Sequence, residues 1–298
     1  MTGVKFYNYK IISPYLALRD GETKLGENIN FVKDLDDLQN SSAKYVLFGI
    51  AEDIGVRANR GNPGTSKAWE SFLHAFLNIQ ANQYTSTGDL VLLGEIDTQE
   101  LMSKASNIDV EDPNYYVKLG DLVQKLDAVV AEVVEKIIAA EKIPVIIGGG
   151  HNNAFGNIKG ATRALKKPIN ILNIDAHTDL RRTDYRHSGN GFSFAKKENL
   201  LGKYRIFGLH QNYTPEYILK EVMASPTDHF RLFEHLTLKS SESIIRAFRE
   251  ELDFTAKEAF SSPTATISGW PDSVANRCLP VPCYERPSRS GCHFVSMS

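Results

Sequence analysis

Two apolar segments that each end in metal-type side chains constrain this chain more than any other feature of its sequence. The first reads Val-Ile-Ile-Gly-Gly-Gly-His and ends at His151. The second reads Ile-Asn-Ile-Leu-Asn-Ile-Asp-Ala-His-Thr-Asp and contains Asp175, His177 and Asp179. Buried parallel strands are continuous apolar runs, and α/β proteins bind ligands at the sheet edge where the strands' carboxyl ends meet. We therefore expect these four side chains to lie together at one such edge.

Segments with helical patterns separate the apolar runs. Residues 116–141 carry apolar side chains at helical spacing with charges on the opposite face, and residues 153–165 form a second helical segment. Strand-helix-strand connections of this length are right-handed and place helices on both faces of a parallel sheet. The sequence therefore predicts an α/β fold. Further strands are predicted at 44–50, 90–93, 204–208 and 230–233, and further helices at 67–77, 214–223 and 241–254, whereas residues 1–43 have a weakly defined pattern.

Composition and charge argue against several classes of function. The chain has 298 residues and a net charge of −2, which favours binding neither to nucleic acid nor to an anionic membrane. The first ten residues lack the pattern of a secretory signal, and no apolar run approaches the roughly 18 residues that span a bilayer. The Gly-rich segment 52–64 matches neither common phosphate-binding motif. We expect a cytoplasmic protein with a small-molecule substrate.

The residue types at the two strand ends favour a divalent metal ion. Alternation along an extended segment places Asp175, His177 and Asp179 on one face. Carboxylate and imidazole ligands suit an ion such as Mn²⁺, and the absence of cysteine here excludes thiolate-bound zinc. The alternative for a single His151 is an ordinary surface residue, but glycines that permit a tight turn precede it, and the joint pattern favours a metal site. Two ions bridged by carboxylates would activate a water molecule as a nucleophile.

The motifs G-G-G-H and D-A-H-T-D, which end at His151 and Asp179, resemble two of the three metal signatures of the ureohydrolase superfamily. This superfamily includes arginase, agmatinase and formimidoylglutamase, and the resemblance covers roughly residues 44–260. It implies the three-layer α/β/α arginase fold, a homo-oligomer and two Mn²⁺ per subunit. It also implies that His151 and Asp179 hold one ion, that His177 holds the other, and that Asp175 and Asp179 contribute to both. Asp175 and His177 are the implied catalytic residues.

The polar loop after the second motif carries the candidates for substrate contact. Arginases place a histidine two residues after the Asn of an S-G-N motif, and here that position holds Phe192, which resembles the formimidoylglutamase and agmatinase branches. The alternative for any one loop residue is an ordinary solvated connection. The candidates for substrate contact are His187, Ser188 and Asn190, with Arg181 and Arg182 as candidate partners for a substrate carboxylate.

The third metal signature of the family is missing. Family members supply two further carboxylates from a later strand in a D-x-D pattern, and no D-x-D occurs after residue 180. Asp272 could match the second carboxylate, with Trp270 in place of the first, and Asp253 is a weaker candidate because it lies in a predicted helix. Loss of a bridging carboxylate leaves two close cations less neutralised, so we expect the second ion to bind poorly.

Residues 261–298 differ in composition from the rest of the chain. They contain all three cysteines, whose spacing fits no zinc template, and five of the 12 prolines. Such a shift is typical of a disordered tail. We expect an arginase-like domain over residues 1–260, incomplete at its carboxyl-terminal side, and an irregular, poorly ordered tail after it. An altered reading frame or truncation of a family member would explain the tail, and so would a relative that has lost catalysis.

The function implied by the resemblance is hydrolysis of a C–N bond in a formimino or guanidino group. N-formimino-L-glutamate, cleaved to glutamate and formamide, is the preferred substrate. Agmatinase or arginase activity is one alternative. The other is a non-catalytic family member with an incomplete metal site that acts as a binding or oligomer subunit.

Overall fold

The computed structural model describes residues 3–256 and the two short strands 264–267 and 294–297. All of the strands belong to one sheet. The strands are β1 (Val4–Phe6), β2 (Tyr45–Gly49), β3 (Leu90–Ile96), β4 (Ile143–Ile147), β5 (Ile169–Ile174), β6 (Leu201–Leu209), β7 (Asp228–Leu232), β8 (Thr264–Ile267) and β9 (Phe294–Met297). Their order across the sheet is β1-β3-β2-β4-β9-β8-β5-β6-β7. Neighbouring strands are parallel except for β1 and β3, which are antiparallel.

Helices connect most of these strands. They are α1 (Tyr9–Ile12), α2 (Ile54–Ala58), α3 (Ala68–Phe76), α4 (Gln99–Ser106), α5 (Tyr115–Ala139), α6 (Asn153–Leu165), α7 (Gly191–Lys197), α8 (Glu216–Ala224), α9 (Phe233–Thr237) and α10 (Ser241–Ala256). Short 3-10 turns occupy Ser13–Tyr15, Leu25–Glu27, Asp36–Asn40, Thr65–Lys67, Ser188–Asn190 and Gln211–Tyr213. Within the described residues, no helix is both long and apolar enough to cross a membrane.

The side chains of β2 show that the sheet is covered on both faces. Val46 and Phe48 join the hydrophobic cluster that contains the buried faces of α5 and α6. Leu47, between them, joins a different cluster with Trp69 and Leu73 of α3. Because successive side chains of a strand point to opposite faces, the two clusters lie on opposite sides of the sheet. The predicted three-layer α/β/α arrangement is confirmed.

Helices α5 and α6 pack closely on one side of the sheet and set the position of the loop before α6. A Cβ atom at Gly160 would lie 2.4 Å from the backbone oxygen of Ala131, and one at Gly156 would lie 2.9 Å from the Cβ of Val130. Larger side chains at these glycines would therefore push the helices apart. The absence of side chains here lets α6 lie directly against the long amphipathic helix.

The amino-terminal segment packs against the rest of the protein, although its sequence pattern is weakly defined. Strand β1 pairs with β3, and the side chains of Ile12, Leu25 and Leu38 are 0–3% exposed. Their apolar residues are spaced irregularly because 3-10 turns and loops carry them, so no single period marks the segment. The segment is part of the core.

The tail contributes the neighbouring strands β8 and β9, which pair with each other and lie between β4 and β5. The sequence analysis did not predict these strands. The other residues of the tail, including its three cysteines, lie outside the described residues. The expected division at residue 260 and the expected irregularity of the tail stay predictions.

Candidate metal centre

A glycine turn presents His151 at the carboxyl end of β4. Gly148 and Gly149 have φ angles of +85° and +77°, in the left-handed region that favours glycine. A Cβ atom at Gly149 would lie 2.7 Å from the backbone oxygen of Ile50, so the turn also needs glycine for space. The turn reverses the chain between β4 and α6, which starts two residues after His151.

Glu52 anchors this turn from the loop after β2. Its side chain is 0% exposed and accepts hydrogen bonds from the backbone nitrogens of Gly150, at 2.8 Å, and Ile54, at 2.7 Å. The side-chain amides of Asn152 and Asn153 also donate to it, at 3.2 Å and 2.7 Å. Burial raises the pKa of Glu52, although these hydrogen bonds favour its charged form. The sequence analysis considered this acid only as part of the Gly-rich segment 52–64 and missed its role.

His151, Asp175 and Asp179 form a compact cluster at the ends of β4 and β5. One ligand atom from each lies within 4.8 Å of those from the other two. The Nδ1 atom of His151 is 3.1 Å from Oδ2 of Asp175 and forms an ion pair with Asp179. The side chains are 9%, 3% and 11% exposed, respectively. These are three of the four predicted metal ligands, and the structure brings them together.

The electrostatics of this cluster suit a bound cation. Burial lowers the pKa of His151, but the charge of Asp179 and hydrogen bonds to both carboxylates outweigh it and raise the pKa to about 10. Burial and the nearby charge of Asp175 raise the pKa of Asp179. The Nε2 atom of His151 is buried and has no hydrogen-bond partner among the described residues. Two close carboxylates with an imidazole are the donor set that Mn²⁺ accepts, so the residues fit this ion.

The backbone of Asp179 adopts the left-handed region, with φ at +49°. Residues other than glycine rarely adopt this conformation, although aspartate and asparagine tolerate it better than most. Here it turns the Asp179 carboxylate towards His151. Strain of this kind is typical of functional sites.

His177 lies beside the cluster and outside its tightest group. Its Nδ1 atom is 3.4 Å from Oδ1 of Asp175, and its side chain is 54% exposed. The hydrogen bond to Asp175 raises its pKa, which burial opposes. The structure therefore gives His177 a place next to Asp175, on the open side of the centre.

A chain of buried polar groups supports Asp175 from behind. The Asn173 amide nitrogen lies 3.5 Å from Oδ2 of Asp175 and donates to the Tyr204 hydroxyl at 3.0 Å. That hydroxyl donates to the backbone oxygen of Thr178 at 2.8 Å. Outer groups of this kind fix the orientation of metal ligands. Tyr204 and Asn173 are 0% exposed and were not predicted as site residues.

Phe192 packs against both His151 and this chain of groups. Its ring meets the imidazole of His151 edge-on, with centroids 5.5 Å apart, and stacks on Tyr204 at 4.5 Å. The phenyl ring therefore restricts the orientation of the imidazole. No proton can pass through this side chain, in contrast to the histidine that arginases carry at the matching position.

Two of the residues predicted to contact substrate, Asn190 and Ser188, form hydrogen bonds within the protein. Asn190 is 0% exposed, and its amide is fully used, accepting from Arg186 and the backbone of His187 and donating to the backbone of Arg182 and Tyr185. The Ser188 hydroxyl accepts from the amide of Asn59 at 3.1 Å. Asn190 thus holds the loop together in the described structure, and substrate contact by either side chain stays a prediction.

His187 is a neutral imidazole at neutral pH. Burial together with the charges of Arg186 and Arg181 lowers its pKa to about 4. Its Nδ1 atom accepts a hydrogen bond from the backbone nitrogen of Gly189 at 3.1 Å, so its proton resides on Nε2. His187 is therefore able to donate a hydrogen bond through Nε2.

Asn59, at the end of α2, holds Arg181 and the polar loop together. Its amide oxygen accepts from Arg181 at 3.3 Å, while its amide nitrogen donates to Ser188. Arg181 remains exposed and lies two residues after the candidate ligand Asp179. Arg182, the other predicted partner for a carboxylate, lies over the ring of Tyr217 at 5.6 Å. Of the two arginines, Arg181 is tied to the site itself.

The third metal signature is not found in the described part of the chain. Asp272 and Trp270 lie outside the described residues. Asp253 lies in α10, as the sequence predicted, and is not a member of the cluster around His151. The described residues thus supply one group of three candidate ligands with His177 beside it.

Comparisons with known proteins agree with these features. A model of the arginase family matches residues 43–256. The formimidoylglutamase of Macrococcus caseolyticus is 28% identical over 209 residues, which are 70% of this chain and 59% of that protein. The formimidoylglutamase of Salmonella enteritidis is 30% identical over 155 residues, which are 52% of this chain and 42% of that protein. The chain thus spans about half the length of these relatives.

Solved structures show the same fold. The formimidoylglutamase of Bacillus subtilis superposes with a TM-score of 0.65 at 16% identity, covering 97% of this chain and 90% of that one. The formiminoglutamase of Trypanosoma cruzi with Mn²⁺ superposes with a TM-score of 0.61 at 16% identity, covering 93% and 90%. The match of the family model to most of the chain and the ligand cluster at the predicted sheet edge lead to one conclusion: the chain belongs to the arginase family.

Proposed function

We propose that this chain is a manganese-dependent hydrolase of a C–N bond in a formimino or guanidino substrate, with N-formimino-L-glutamate as the substrate. The observation that carries the proposal is the cluster of His151, Asp175 and Asp179 at the ends of β4 and β5. Formimidoylglutamases among the relatives of the chain support the choice of substrate.

In this proposal the three clustered side chains hold Mn²⁺, with His177 as a ligand on the open side. When bound, Mn²⁺ would lower the pKa of a water molecule and polarise the amidine carbon that this water attacks. Asp175 contributes its charge, and Asn173 with Tyr204 keeps its carboxylate oriented. Phe192 packs edge-on against the imidazole of His151 and restricts its orientation.

The loop residues bind and orient the substrate in this proposal. Arg181 pairs with a substrate carboxylate, because it is exposed, is held by Asn59 and follows the ligand Asp179 closely. His187 donates a hydrogen bond from Nε2, since its lowered pKa keeps it neutral. A carboxylate is present in N-formimino-glutamate and arginine and absent from agmatine, so this pairing argues against agmatine.

The rival proposal is a non-catalytic family member. It is favoured by the single group of three clustered ligands among the described residues, where a pair of bridged ions needs more carboxylate oxygens. Either proposal is compatible with a homo-oligomer and with a cytoplasmic location. The first of these expectations rests on the family resemblance and the second on the sequence.

The test compares turnover of N-formimino-L-glutamate, arginine and agmatine by the full chain in excess Mn²⁺. We expect hydrolysis of N-formimino-L-glutamate alone, lost in Asp175→Asn and retained in the surface variant Asp20→Asn. Absence of turnover with all three substrates would support the non-catalytic rival. Sequencing the coding DNA after residue 260 then shows whether an apolar run ending in D-x-D exists in another frame.

A further inference from the structure

Four parallel rings form a stack that leads to the predicted metal ligand His177. The ring of Tyr213 lies 5.1 Å from the imidazole of His177, with an angle of 14° between the planes. Tyr213 also stacks on His210, at 5.2 Å and 12°. Phe233, in turn, stacks on His210 at 4.3 Å and 10°. The side chain of Tyr213 is thus held against two imidazoles, one of them fixed by a further ring.

Backbone hydrogen bonds hold this stack at the metal centre. The backbone nitrogen of His210, which follows β6, donates to the backbone oxygen of Ala176 at 3.1 Å, within the D-A-H-T-D motif. The next nitrogen, of Gln211, donates to Oε1 of Glu234 in α9 at 3.1 Å. The turn that carries Tyr213 is therefore tied to the metal loop on one side and to α9 on the other.

His177 needs such support more than the other predicted ligands do. Its side chain is 54% exposed, whereas those of His151, Asp175 and Asp179 are 11% exposed or less. One polar contact, from its Nδ1 atom to Asp175, orients the imidazole within the described residues, and Tyr213 supplies its ring contact. A half-exposed imidazole without a ring contact would sample several rotamers and lose this freedom on binding a metal.

We propose that Tyr213 is a positioning residue for His177. Its ring, held by His210 and Phe233, keeps the imidazole oriented beside Asp175 so that the ligand is pre-organised before an ion binds. The proposal rests on the proposed function, because it assumes that His177 binds Mn²⁺. The aromatic ring of Tyr213 provides this orientation of His177. The hydroxyl is not needed for it, and the side chain is 47% exposed.

The experiment compares full-length Tyr213→Ala and Tyr213→Phe with the wild-type chain, and Tyr84→Ala serves as the control. Tyr84 is 88% exposed, so its removal deletes a tyrosine ring at the surface. The first readout is the NMR signal of the His177 ring protons in the metal-free protein, which a stacked aromatic ring displaces. The second readout is Mn²⁺ affinity, measured by titration of the free ion with electron paramagnetic resonance.

We expect Tyr213→Ala to abolish the displacement of the His177 signals and to weaken binding of Mn²⁺ about tenfold. This is the lower end of the loss of metal affinity when a residue that supports a metal ligand is removed. Tyr213→Phe and Tyr84→Ala should change neither. Unchanged Mn²⁺ affinity in Tyr213→Ala, or an equal loss in Tyr213→Phe, would overturn the positioning role while leaving the proposed function intact. Absence of Mn²⁺ binding by the wild-type chain would overturn both.

Discussion

Arg186 joins α5, the loop after His151 and the polar loop beside the candidate metal centre through a single buried guanidinium group. It donates to both carboxylate oxygens of Asp127 in α5, to the backbone oxygens of Asn152 and His187, and to the amide oxygen of Asn190. These bonds occupy all five of its N–H groups. The guanidinium also lies 5.0 Å and 5.1 Å from the ring centroids of Phe155 and Phe194. The long helix thereby fixes the loop after His151 and the polar loop relative to each other.

Removal of one partner of the Arg186–Asp127 ion pair should destabilise the protein strongly. The side chains of Arg186 and Asp127 are 1% and 4% exposed, so Arg186→Met would leave a buried, unpaired carboxylate. We expect the free energy of unfolding, measured by urea denaturation, to fall by about 3–5 kcal/mol. The control is Arg246→Met, whose ion pair with Glu242 is exposed and should be worth at most about 1 kcal/mol. Equal losses in the two variants would show that the buried pair has no special role.

Among the elements of the fold, those with strong periodicity were predictable and those without it were not. Strands β4 and β5 are apolar runs, and α5 has a continuous apolar stripe, so each was predicted close to its observed position. Glu52 was missed because its partners, Gly150, Asn152 and Asn153, are about 100 residues away in the sequence. No local pattern marks such a long-range hydrogen bond. Asn59 was missed for the same reason, and so was the ion pair of Arg186 with Asp127.

The contact between α5 and α6 allows a test at the scale of these elements. Gly160→Ala would place a Cβ atom 2.4 Å from the backbone oxygen of Ala131 and would force the helices apart. We expect this variant to lower the free energy of unfolding by about 1–3 kcal/mol, as overpacking of a core does, even though alanine favours a helix. Gly88→Ala is the matched control, since its Cβ would meet no atom within 4 Å. A Gly160→Ala protein as stable as the control would mean that the two helices do not pack this closely.

For the whole molecule, the sheet order explains why the centre lies where it does. Strands β4 and β5, which carry the predicted ligands, are separated in the sheet by β9 and β8. Because β8 runs parallel to β5, with Ile267 beside Ile174, the carboxyl end of β8 lies at the same sheet edge as the carboxyl end of β5. The family resemblance assigns its missing carboxylates to a strand that follows the D-A-H-T-D motif in the sequence. Strand β8 follows that motif in the sequence, and its four described residues contain no carboxylate.

Equilibrium binding of Mn²⁺ to the full chain tests the account most directly, with Asp179→Asn and the surface control Asp20→Asn measured beside the wild-type protein. Asparagine fits the left-handed backbone at position 179, so the variant removes a charged ligand with little strain. We predict that the wild-type chain and Asp20→Asn bind Mn²⁺ equally, and that Asp179→Asn binds it at least about tenfold more weakly. Removal of a residue that only supports a metal ligand already has that effect, so removal of a ligand should cost no less. Identical binding curves for wild type and Asp179→Asn, or no binding by the wild type, would contradict a metal centre at His151, Asp175 and Asp179.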